Sequence, residues 1–131
     1  MSRPIKYRAW NEYDKKYEYE VGVVPSGLGV RFEGKRVIIP VDSEVWGLEQ
    51  YTGLKDKNGK EIYEGDILWW EHYYGMTGEN VESTAKVYWE EKDASFVVGD
   101  WFEPLGHLVD EDEIEVIGNI HENPELLERG E

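Results

Sequence analysis

The eighteen residues Gln50–Ile67, QYTGLKDKNGKEIYEGDI, constrain the fold more than any other stretch of the chain. Asn58-Gly59 is the strongest local signal. A two-residue type I′ turn needs positive φ at both central positions, which Asn tolerates and Gly adopts freely. The spacing therefore predicts a β-hairpin, with Tyr51–Leu54 leading in, Glu61–Tyr63 leading out, and Lys57 and Lys60 facing water. Glu64-Gly65-Asp66 predicts a second tight turn, with Gly65 left-handed and the Asp66 carboxylate accepting a backbone N–H. Ile67-Leu68-Trp69-Trp70 follows as an apolar, β-favouring run.

On either side the chain keeps the same character. Ile5–Trp10 and Lys16–Val21 alternate in hydrophobicity across the turn residues Asn11–Asp14, which predicts a hairpin. Pro25–Gly29 reads as a plain turn. It lacks the third glycine, the Lys-Ser/Thr and the following helix of a phosphate-cradling loop. Val30–Phe32 and Val37–Ile39 pair across Glu33-Gly34-Lys35, and Pro40 ends them. Glu71–Ser83, with two glycines and many polar residues, reads as a long mobile loop. Thr84–Trp89 and Ala94–Val98 read as strands joined by a charged turn, and Trp101-Phe102 as a short strand or turn. Glu103–Gly106 reads as a loop, Asp110–Glu113 as a solvated acidic turn, and Ile114–Ile117 as a strand. Gly118 within an apolar segment suggests a bulge or a close backbone approach. Asn123-Pro124-Glu125 is a helix start: a capping residue, a proline at the first position and a carboxylate in the first turn. Short strands with a single clear helix predict a mainly β protein, a small barrel or sandwich.

A chain of 131 residues fits one unit, 1–131, with possible lobes at 1–45 and 46–131. It has no cysteine, so disulfides and thiolate metal sites are excluded and a cytoplasmic setting is natural. No apolar run is long enough for a signal peptide or a membrane span. The net charge of −15 is unevenly placed. Residues 1–40 hold eight Lys/Arg against five Asp/Glu, a balance of +3; residues 41–131 hold six against twenty-four, a balance of −18. So acidic a surface repels phosphate, and no direct nucleic-acid binding is expected. It suits a basic partner, including one that normally holds DNA, or simply keeps the chain soluble.

The eighteen-residue string closely resembles the signature of the YopX family, small proteins encoded by bacteriophages and prophages. Ile5–Trp10 resembles the family's opening and Val116–Leu127 its ending, so the resemblance runs over nearly the whole chain. It implies a phage-derived, mainly β protein with an SH3-like barrel component and self-association; the residues themselves add an N-terminal β-hairpin region and a short C-terminal helix. It implies no catalytic residues. One departure lies before the string: family members often run from an Asp-Pro pair into it. Here Asp42–Glu49 lacks the proline and carries Trp46.

Little chemistry is legible. His72, His107 and His121 fall in no paired ligand motif, and Asp110–Glu113 lacks the glycine and distal glutamate of a calcium loop, so no metal or cofactor is expected. Asp100 and Glu103 beside Trp101 and Phe102 are the only candidates for a carboxylate-based, metal-dependent hydrolase, the least favoured reading. Six Trp and nine Tyr are a high content, divided between core filling and contact surfaces. Trp69, Trp70, Tyr73, Tyr74 and Trp101 are the candidate protein contacts, with a second copy or a host or phage protein as partner. The readings are a non-enzymatic, homo-oligomeric interaction module and, as the alternative, an acidic mimic of nucleic acid occupying a DNA-binding host protein.

Overall fold

The structure, a computed structural model, describes residues 6–19, 21–24, 27–32, 35–40, 45–99 and 103–128. The chain divides into two compact units, Met1–Tyr51 and Thr52–Glu131.

The first unit holds β1 (Tyr7–Asn11), β2 (Lys16–Glu18), β3 (Gly22–Val24), β4 (Gly27–Phe32), β5 (Lys35–Ile39) and the start of β6 (Trp46–Lys55), which continues across the boundary. The β1–β2 hairpin forms as expected, with Ala9 opposite Glu18. Its turn is held by Asn11, whose Oδ1 accepts the N–H groups of Tyr13 and Asp14 at 2.9 and 3.2 Å. On its other side β1 pairs antiparallel with β6, from Tyr7 opposite Gln50 to Asn11 opposite Trp46. Strands β3, β4 and β5 make a separate three-stranded sheet. Of the expected turn at Pro25–Gly29, Pro25 and Ser26 lie outside the described residues, while Gly27, Leu28 and Gly29 lie within β4 and pair with β3 and β5. A Cβ on Gly27 would lie 2.3 Å from the Ile39 carbonyl oxygen, so the glycine permits close strand approach. Ala9, Val30, Ile39 and Trp46 form the core of this unit. Arg8 and Glu49 are also buried. The Arg8 Nε–H donates to Glu49 Oε1 at 2.8 Å, and the Tyr17 hydroxyl donates to the same oxygen at 3.0 Å.

The second unit continues with β7 (Glu61–Tyr63), β8 (Asp66–Tyr74), β9 (Glu79–Glu90), β10 (Ser95–Val98), β11 (Glu103–Pro104), α1 (Leu105–Glu111), β12 (Glu115–Asn119) and α2 (Glu125–Glu128). Its sheet runs β11-β10-β9-β8-β12, every pair antiparallel. The protein is mainly β, as the sequence predicts. This sheet curls into a half-barrel, a form compatible with an SH3-like barrel. The concave core comprises Leu68 and Trp70 from β8, Ala85 and Val87 from β9, and Phe96 and Val98 from β10, with Leu105, Leu108, Ile114 and Val116 closing it.

Two expectations are corrected. Glu71–Ser83 is not a loop: β8 and β9 pair without interruption from Ile67–Lys86 out to Tyr74–Glu79, and only residues 75–78 turn. Glu103–Gly106 is likewise not a plain loop but the short β11 leading into α1. Leu105 and Leu108 at i, i+3 are buried, and that burial holds the helix despite Gly106 at its second position. The bulge at Gly118 is present: the β12–β8 register shifts between Val116 and Gly118. An added Cβ on Gly118 would lie 2.6 Å from Asn123 Oδ1.

Candidate functional site

Asp56 fastens the signature hairpin to β12. Its Oδ1 accepts the N–H groups of Asn58 and Lys60, both at 2.9 Å, and its Oδ2 accepts the N–H of Val116 on β12 at 3.0 Å. Burial pushes its carboxyl pKa up, but the donors on Val116, Lys60 and Asn58, with the Lys60 charge, outweigh that and hold it below the ordinary value. The carboxylate also sets the turn. Gly59 has φ of 84° but Asn58 does not have positive φ, so the expected type I′ geometry gives way to a turn closed by Gly59 N–H to the Asp56 carbonyl at 3.0 Å. An Asp two residues before Asn-Gly was the readable sign of this arrangement. The second turn forms as predicted: Gly65 has φ of 86°, and Asp66 Oδ2 accepts the Tyr63 N–H at 2.8 Å.

With its root fixed, the β8–β9 hairpin runs on past its neighbours. Strand β12 pairs with β8 only from Asp66 to Trp69, and β10 pairs with β9 only from Val87 to Glu90. From the Trp70–Ser83 pair outward the hairpin is a two-stranded ribbon with no described strand on either side. Period-two alternation sorts its residues. Trp70, His72 and Tyr74 share the inner face with Glu79, Val81 and Ser83, while Trp69, Glu71 and Tyr73 share the outer face with Asn80, Glu82 and Thr84.

The proposed contact residues therefore separate. Trp70 is a core residue at 4% exposure, which removes it from the contact surface. Trp69 is half-buried on the outer face; its Nε1–H donates to Glu82 Oε1 at 3.0 Å, and the Lys57 ammonium lies 5.7 Å from its ring centroid. Tyr73 and Tyr74 are 60% and 50% exposed. Trp101 lies outside the described residues, as do Asp100 and Phe102. Two further exposed apolar residues sit with the tyrosines: Met76 at the tip, fully exposed, and Val81, 43% exposed. Tyr74, Met76 and Val81 line a shallow hollow of about 620 Å³. The reading of Glu71–Ser83 as a loop concealed Met76 and Val81, although Val81 stands directly opposite His72.

The inner face at the ribbon's root meets α1 across a cleft of about 330 Å³ with Trp70, His72, Tyr74, Ser83, Glu103, His107, Leu108 and Asp112 around it. His72 Nδ1 is 2.9 Å from Asp112 Oδ1, and His107 Nδ1 is 2.7 Å from Glu103 Oε2. An ionised carboxylate only accepts, so each imidazole carries a proton on Nδ1 and donates it. Two histidines far apart in sequence thus share one cleft, which their spacing did not foretell. Among the described residues no group of three or more His, Asp or Glu side chains is arranged to hold a metal ion. The His72–Asp112 bond instead ties the ribbon to the end of α1, and the His72 ring meets Tyr74 edge-on at 4.6 Å.

Fold and site together define a class: a mainly β protein whose longest hairpin extends past its sheet and carries exposed aromatic residues. The chain belongs to the YopX family, since the family model for YopX protein matches residues 6–128. It is similar to the crystal structure of protein EF1440 from Enterococcus faecalis, with 31% identity and a TM-score of 0.66 over 96% of this chain and 99% of that one. No curated protein matches it. Among the described residues no helix is long and apolar enough to cross a membrane.

Proposed function

We propose that this chain is a non-enzymatic protein–protein interaction module of phage or prophage origin. It works in a bacterial cytoplasm, self-associates, and docks a host or phage protein. The β8–β9 ribbon is the contact element. One observation carries this reading: Tyr73, Tyr74, Met76 and Val81 are exposed together on the part of the ribbon beyond Trp70, where no described residue joins either hydrophobic core. Large apolar side chains gathered on a protruding element mark contact surfaces. Membership of the YopX family and likeness to an Enterococcus faecalis protein support a bacterial setting.

The test compares wild type with the double variant Tyr73→Ala, Tyr74→Ala. Sedimentation gives the mass of each, and quantified pull-downs from bacterial lysate give the bound proteins. The proposal expects a wild-type multimer, a lower mass for the variant, and loss of a stoichiometric partner with thermal stability retained. Equal mass and equal capture would reject the ribbon as the contact element.

A second reading, the acidic mimic of nucleic acid, is favoured by the placement of Glu71 directly opposite Glu82 within a region of net charge −18. It expects the captured protein to bind DNA, and duplex DNA to displace this chain with steep salt dependence. A salt-insensitive complex would end it.

A further inference from the structure

The ribbon has a second property besides exposed aromatics, an open main-chain edge, and its direction follows from a single hydrogen bond. The Lys86 carbonyl accepts the Gly99 N–H at 3.2 Å, so the main-chain groups of Lys86 face the β10 side of β9. The Val87 carbonyl faces the opposite way and accepts the Gly65 N–H at 2.9 Å. Alternation along a strand then turns the N–H and C=O groups of Asn80, Glu82 and Thr84 toward the β10 side, where β10 no longer runs. From Glu79 to Thr84 this is an edge of about 20 Å with no described strand beside it. Proteins usually blunt such an edge with proline, bulges or charge. Here the register shows no bulge and the sequence no proline, so among the described residues charge guards it, through Glu79 and Glu82.

We infer that this edge of β9 is a strand-addition site for an extended partner segment in which basic and apolar residues alternate. The inference rests on the ribbon being the contact element and adds the chemistry of what it contacts. On the outer face, Glu71 and Glu82 stand directly opposite each other, an unfavourable like-charge pair. An added strand would set an outward Lys or Arg beside Glu82 and relieve that repulsion. On the inner face its side chains would lie beside Val81 and Ser83, where an apolar residue covers Val81, Tyr74 and Met76. Backbone bonds along the edge would supply affinity, and the alternation would supply specificity. A second copy pairing antiparallel through the same edge with Glu82 at the centre would set that carboxylate against its own counterpart, so the edge favours a different, basic strand.

The test uses the full chain and a fluorescein-labelled peptide of about ten residues alternating Lys and Val, long enough to span the edge. Anisotropy titrations at low salt compare it with three controls. One alternates Glu and Val, one alternates Lys and Gly at equal charge, and one is the Lys–Val peptide N-methylated at every second residue. The Lys–Val peptide is expected to bind, and all three controls to bind at least about tenfold more weakly, because each lacks charge, apolar contact or backbone donors. In the protein, Asn80→Pro removes an edge-facing N–H and leaves the β8 ladder intact. Glu82→Lys reverses the charge. Each is expected to weaken the Lys–Val peptide about tenfold or more. The strand is overturned if the Lys–Val peptide does not bind, if the Lys–Gly peptide binds equally well, or if N-methylation and Asn80→Pro are both harmless. The wider proposal is read separately from the mass of the double tyrosine variant. A chain that needs those tyrosines to self-associate but ignores every peptide keeps the proposed function and loses the strand.

Discussion

The two halves of β8 are the instructive comparison in this molecule. Its root, Asp66–Trp70, is rich in apolar residues, is paired with β9 from Ile67 on and with β12 as far as Trp69, and has Ile67 and Leu68 at zero exposure. Its tip, Glu71–Tyr74, is no less aromatic but pairs with β9 alone, and Tyr73 and Tyr74 are exposed. Residue type therefore does not decide which aromatics are buried here; the face a residue occupies and its distance along the hairpin from the core do. Trp69 and Trp70 make the point at neighbouring positions, one half-buried on the outer face and the other in the core. The root serves as an anchor and the tip as a contact surface.

Trp70→Ala should have the largest effect. It empties a buried indole site and should cost about 4 kcal/mol in denaturant unfolding. The double tyrosine variant at the tip should change stability by no more than about 0.5 kcal/mol, as surface substitutions do. If the tyrosine variant were as destabilising as Trp70→Ala, the tip would belong to the core and the comparison would fail.

Asp56→Ala comes next, at about 2 kcal/mol, because it strands the buried Val116 N–H and removes the acceptor that holds the Asn58 and Lys60 N–H groups in the turn. The same carboxylate fixes the acid limb of the stability curve. Its folded pKa lies below the ordinary 3.8, so its contribution is complete at neutral pH. It fades as pH falls through 3.8 and is lost below the lower folded value. Unfolding measured against pH should show wild type and Asp56→Asn converging in acid. Peptide binding by the variant at neutral pH should match wild type, since Asp56 lies at the root.

Gly118→Ala should cost about 1–2 kcal/mol, the price of overpacking a tight site. Its Cβ would displace the Asn123 side chain, whose Oδ1 accepts the Asn119 N–H at 3.2 Å. Thermal unfolding checks this, and a neutral result would show that Asn123 moves freely.

The root was more legible in the sequence than the tip, for physical reasons. Turns are written in single residues: Gly65 and Asp66 act as their types predict, and Gly118 sits at its bulge. Asn58-Gly59 gave the hairpin but not the turn type, because Asp56 competes for the Asn58 and Lys60 N–H groups. The tip resembles a loop in composition, with Glu71, Glu79, Glu82 and two glycines, and its strand character comes from the register imposed by the root. The first helix escaped notice because it has no side-chain cap, no acid in its first turn and no base in its last. The convergence of His72 and His107 on one cleft required the curl of the sheet and was not written in their spacing.

The smallest predicted effect bears most directly on the comparison. Glu71→Lys at the tip places an ammonium opposite Glu82, replacing a like-charge pair by an opposite one. It should stabilise the chain by about 0.5 kcal/mol. A tip selected for stability would not carry Glu71 there, so a gain would show that the tip holds an arrangement the fold does not need. The same substitution answers Glu82 from within the molecule and should weaken the basic, alternating peptide, coupling higher stability to poorer binding. Thermal unfolding and anisotropy on this one variant read both. A gain in stability with binding unchanged would mean that the Glu71–Glu82 pair plays no part in recognition, and would reduce the charge argument to Glu82 and Glu79 alone.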